Sequence, residues 1–137
     1  MHKQRNSVAV ALVVGLGLSS PGMAQDNTVG EAAYAAACAV CHGSSGQGGG
    51  EFADILTIKP PDLTTISARN DGQFPYLKVF QIVDGRTTLR AHGTSVMPIW
   101  GDYFSREVEG SSGGYGSELL VRARIVALVD YIESLQM

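Results

Sequence analysis

The stretch "CAVCH", Cys38 to His42, constrains this chain more than any other feature. It holds both cysteines of the 137 residues and one of the three histidines. How these three side chains are used decides what the rest of the chain is built around. Their setting is an exported protein. Lys3 and Arg5 precede an apolar run from Ser7 to Leu18, and small residues follow up to Ala24, the plan of a secretory signal peptide. The run is shorter than the about 20 apolar residues that span a bilayer, and it ends in Ser-Ser-Pro-Gly. Cleavage after Ala24 is expected. Residues 25–137 would then form one periplasmic domain with no stable membrane insertion. Removing Lys3 and Arg5 takes the formal charge from −3 to −5. No basic stripe is visible, which argues against nucleic acid as a partner.

The mature part reads as helices joined by glycine-rich loops, with no strand pattern and no internal repeat. Thr28 with Glu31 three residues on looks like a capping box. It opens an alanine-rich helix that runs through the cysteines and stops at Gly43. "GSSGQGGG", residues 43–50, is a loop, read as ordered or semi-ordered because it adjoins the motif. Pro60 and Pro61 exclude a helix interior. A helix is expected from about Pro75 to Gly85, with Leu77, Phe80 and Ile82 or Val83 on adjoining positions. The run up to Phe104 shows no helical period, contains the breakers Gly93, Pro98 and Gly101, and is read as irregular. Gly110 to Ser117 is read as a second flexible loop, with Ser117 capping the last helix. That helix carries Val121, Ile125, Leu128, Ile132 and Leu135, one apolar stripe stepping by four and three.

Three chemistries compete for Cys-x-x-Cys-His. A thioredoxin-like dithiol needs a strand before the motif, and the flanks here are helix and glycine loop. A zinc site of Cys38, Cys41, His42 and His92 has the right donors, but adjacent Cys41 and His42 are poorly spaced for one ion. Covalent haem attachment has this motif as its specific signature. The two thiols add to the vinyl groups on one porphyrin edge, and the next residue stands under the iron as proximal ligand. The sixth iron position then needs a donor. Met97 is the only internal methionine of the mature chain, and Pro98 holds it extended. His92 is the rival. Met–His ligation raises the reduction potential and bis-His ligation lowers it.

With "CAVCH" early, "MP" far downstream, and Gly30 and Tyr34 eight and four residues before Cys38, the chain resembles the class I c-type cytochromes, bacterial branch. The resemblance covers roughly Thr28 to Gln136. It implies an all-α cytochrome c fold, three to five helices and long loops wrapped around one covalent haem c. It implies haem binding by Cys38, Cys41, His42 and Met97, with His42 and Met97 on the iron. It implies that Gly30 and Tyr34 pack against Leu128 and Tyr131, the glycine allowing close helix approach. A proline carbonyl, Pro60 or Pro61, would orient the proximal histidine. Trp100, Tyr103, Arg69, Arg86 and Arg90 are candidate propionate partners. Phe74, Phe80, Leu63 and Ile99 are candidate pocket walls.

The function expected is a monomeric electron carrier, not an enzyme. It would shuttle single electrons between redox proteins such as a dehydrogenase, an oxidase or another cytochrome. The net charge favours partners with basic or apolar patches and a salt-dependent rate. A haem-based ligand sensor or peroxidase-like protein with an open or displaceable sixth position is the alternative. A dedicated subunit of a periplasmic dehydrogenase is a third reading.

Overall fold

The computed structural model describes residues 27–86, 97–109 and 113–137. The expected signal segment, Arg90 and His92 lie outside them. Five α-helices form, in the order α1 (Thr28–Ala37), α2 (Ala39–His42), α3 (Tyr76–Asp84), α4 (Trp100–Val108) and α5 (Gly113–Ser134). Two 3₁₀ turns, Ala53–Ile55 and Ala68–Asn70, lie between α2 and α3. No strand occurs among the described residues, as the all-α expectation requires. None of their helices is long and apolar enough to cross a membrane.

The last helix is the spine. Val121, Ile125, Leu128 and Ile132 are all buried, as their spacing predicts. Leu135 falls just beyond the helix end at Ser134. Helices α1, α3 and α4 each pack on α5, and their buried faces meet in one core with Tyr34, Val79, Val83 and Phe104. The α1–α5 crossing is nearly backbone to backbone. A Cβ at Gly30 would overlap the Ala127 carbonyl oxygen and stand 2.8 Å from Tyr131 Cβ. Tyr34 stacks on Tyr131 with ring centroids 5.3 Å apart. Its hydroxyl donates to the Gly43 carbonyl at 2.8 Å, so this fully buried ring leaves no polar atom unpaired.

Four sequence expectations are corrected. The capping box does not form: Asn27 is the N-cap of α1, its side chain makes no capping bond, and Thr28 already lies inside the helix. Leu77 is exposed and Val79 turns inward instead; Val83, one of the two alternatives expected, is buried four residues on. The run containing Trp100–Phe104 is helical, not irregular. Gly101, read as a breaker, is a contact residue; Gly101, Phe104 and Val108 make a buried stripe. Finally, α5 begins at Gly113, so Gly113–Ser117 is helix rather than loop. Ser117 is not its cap; its hydroxyl donates to the Val108 carbonyl at 3.2 Å.

Candidate haem-binding site

The motif occupies a single helical turn. The Cys38 carbonyl accepts from Cys41 N at 3.1 Å and from His42 N at 2.8 Å. Cys38 and Cys41, three apart, and His42, four on, therefore project from neighbouring faces of that turn. So short a helix leaves its terminal carbonyls unpaired. The glycine loop supplies the donors: Gly48 N to His42 O at 2.8 Å, Gly50 N to Cys41 O at 3.2 Å, and Phe52 N to Val40 O at 2.9 Å. This wrap needs glycine. A Cβ at Gly50 would lie 2.5 Å from the Ala39 and Val40 carbonyl oxygens. Gly43, the C-cap, sits at φ 75°, a conformation that side chains resist. The loop is a built part of the site, as its position beside the motif suggested.

His42 is buried, and its Nδ1 lies 3.1 Å from the Pro61 carbonyl. A carbonyl only accepts, so Nδ1 carries the proton and donates. Burial holds the imidazole below its usual pKa, and the bond to Pro61 offsets part of that shift. The ring is thus neutral, with its lone pair on Nε2. That is the tautomer a metal requires. Pro61, not Pro60, is the orienting residue.

The segment bearing Pro61 is held by residues that sequence reasoning passed over. Asp62 Oδ1 accepts from Thr64 N and from Thr64 Oγ1, both at 2.7 Å. Leu63 N donates to Gly46 O at 2.7 Å, and Met137 N to Thr64 O at 3.1 Å. Gln136 clamps the same stretch: Nε2 donates to Leu63 O and Oε1 accepts from Ser67 N, each at 2.8 Å. The Asp-x-Thr turn was readable in "PPDLTT". The Gln136 clamp, about seventy residues away in sequence, carried no local signal.

His42 opens onto a cavity of about 780 Å³ whose walls include Cys41, Leu63, Val79, Val83 and Met97. That volume lies within the usual span of roughly 300–1,000 Å³ for small-molecule and cofactor sites. Met97 and His42 thus reach the same space from distant parts of the chain. Cys38 does not line it; its side chain is buried in the core beside the wall. Both thiols are unpaired. Burial, with neighbouring Cys41, pushes the Cys38 thiol up to about 12, so it stays protonated.

Of the other candidates, Leu63 and Arg69 line the cavity. Phe74 and Phe80 pack against the helical core instead, and Ile99 lies against Gly85. Trp100 and Tyr103 form an aromatic cluster with Phe104 and do not reach the cavity. Arg86 is engaged by Asp84 and Glu118. Lys59 and Lys78, not singled out in the sequence, join Arg69 on the wall, with no carboxylate among the lining residues.

The family model for cytochrome c matches residues 28–136. The chain belongs to the cytochrome c family. No curated protein and no solved structure matches it. The cytochrome c domain is that of a haem-based electron-transfer protein, and the family binds haem c covalently. The residues present fit that group. Unpaired thiols three residues apart, a neutral imidazole tied through Nδ1, and an apolar-walled cavity reached by a thioether are a coherent donor set. Lys59, Arg69 and Lys78 suit the carboxylates such a group carries.

Proposed function

We propose that the mature chain is a periplasmic electron carrier with one haem c, held through Cys38 and Cys41, with His42 and Met97 as its iron ligands. The observation that carries this reading is His42. Its Nδ1 is committed to the Pro61 carbonyl, so Nε2 is offered to a cavity that Met97 also lines. Haem supplies a one-electron Fe(III)/Fe(II) couple there. The chain's part is to attach, orient and exclude water. The Pro61 carbonyl fixes the imidazole plane and raises its basicity. The apolar walls lower the local dielectric, and a thioether ligand favours the reduced state. If His42 and Met97 both ligate the iron, no open position would remain for a substrate, which favours carrier over sensor or peroxidase.

The test is the optical spectrum of the purified mature protein, oxidised and reduced, after acid extraction of loose haem. Retained c-type bands, with the weak red sulfur-to-iron band of the oxidised form, are expected. Retained haem without the red band moves ligation to His92 or to an open site. Complete loss of haem on extraction overturns the proposal.

A further inference from the structure

Beyond α3 the chain is described as far as Arg86 and next at Met97. The described residues on either side are held against each other. Gly85 caps α3 in the left-handed region at φ 66°, and a Cβ there would lie 3.1 Å from Ile99 Cγ2 and 3.3 Å from Ile99 Cα. Two residues on, Gly101 is seated more tightly. A Cβ on it would overlap Asp84 Oδ1 and stand 2.5 Å from Arg86 Nε. The outgoing Asp84–Arg86 and the incoming Ile99–Gly101 are therefore in direct contact.

Arg86 organises this contact. Its Nε donates to Asp84 Oδ1 at 2.6 Å, while Nη1 and Nη2 grip the two Glu118 oxygens at 2.7 and 3.3 Å. Asp84 is buried, and the Asp84–Arg86 pair is largely shielded from water. One guanidinium thus joins the end of α3 to the first turns of α5, with the first turn of α4 pressed on it. A lysine cannot satisfy both carboxylates in this fork geometry.

We infer that Arg86 is a positioning residue for Met97: bridging Asp84 and Glu118 beneath Gly101, it fixes where the Met97 segment re-enters the cavity wall. This rests on the reading of Met97 as an iron ligand. A sixth ligand resists exogenous ligands in proportion to how well its chain is held in place. Loosening the base adds conformational freedom to the dissociated state. Arg86 touches neither the attachment cysteines nor His42, so its effect is confined to the methionine side.

The experiment titrates the ferric holoprotein with imidazole, which competes for the sixth position, and records the red sulfur-to-iron band. The variants are Arg86→Lys and, in case that one fails to fold, Glu118→Gln. Arg124→Gln is the control, because Arg124 pairs with Glu107 between the same helices α4 and α5, away from this contact. Imidazole should bind the Arg86→Lys or Glu118→Gln protein roughly tenfold more tightly, equivalent to about 1.4 kcal/mol. Covalent haem content should stay unchanged, and the control should bind imidazole as wild type does. Equal imidazole affinity in the control and in both test variants overturns the inference while leaving Met97 ligation intact. A wild-type protein without the red band overturns the Met97 reading and this inference together.

Discussion

Pro61 contributes a carbonyl, which any residue could supply, so its position matters more than its identity. That position is set by Asp62, whose carboxylate holds both the amide and the hydroxyl of buried Thr64. The Thr64 bonds keep the Asp62 carboxyl below its usual range, chiefly through the hydroxyl. A depressed carboxylate stabilises the fold above its unfolded pKa, and that contribution is lost as pH falls through the folded value. The window therefore lies below the ordinary 3.8. Asp62→Asn keeps an acceptor but removes the titration. Unfolding midpoints should fall less for this variant than for wild type as pH drops from about 4 to about 2, across and below the ordinary carboxylate range. An identical acid limb would show that Asp62 stays unlinked to folding. At this scale the sequence was informative wherever partners were neighbours. Cys38, Cys41 and His42 sit on one turn, so their spacing carried their chemistry. The choice between Pro60 and Pro61, and the Gln136 clamp, are contacts through space between residues that no periodic pattern connects.

Among the helices, glycine was the residue most often misjudged, because one residue type serves opposite purposes. Gly30 and Gly101 are places where another backbone or a buried ion pair must come close. Gly43 and Gly85 end helices at positive φ. Gly114 does neither: it is an exposed residue in α5, and a Cβ there meets nothing within 4 Å. Reading Gly101 as a breaker hid α4, although Trp100, Phe104 and Val108 repeat every fourth residue. The period became visible only when the stretch was carried past Phe104. Reading Gly113 and Gly114 as loop likewise started α5 too late. The helices with long apolar stripes and no internal glycine contact, above all the body of α5, were legible outright. The difference is measurable. Gly30→Ala should cost about 1–3 kcal/mol, as overpacking does, since the Ala127 carbonyl must move. Gly114→Ala should be neutral or stabilising by up to about 1 kcal/mol. Thermal unfolding of the two holoproteins checks both. A Gly30→Ala protein as stable as wild type would mean that α1 and α5 can separate without loss.

For the molecule as a whole, two charge arguments point in opposite directions. The chain is net acidic, with a formal charge of −3, which by itself favours basic partners. Yet the cavity wall carries Lys59, Arg69 and Lys78 and no carboxylate. Lys59 is paired with Asp54 in the open, both side chains well exposed, a contact of little strength in water. Arg69 donates to the Asp62 carbonyl, which leaves its charge in place. Screening decides between the two arguments. At physiological ionic strength charges act over about 8 Å, so a small redox partner at the cavity mouth senses these cations, less what Asp54 and the haem carboxylates neutralise, more than carboxylates farther away. An anionic iron complex should therefore oxidise the reduced protein faster at low salt than at high salt. A cationic complex of similar driving force should show the opposite slope. Lys78→Gln should flatten the anionic slope and lower the low-salt rate. Stopped-flow oxidation across a salt series reads both. If the anionic complex instead reacts faster as salt rises, net charge governs the encounter, and electrons leave through a face other than the one lined by Lys59, Arg69 and Lys78.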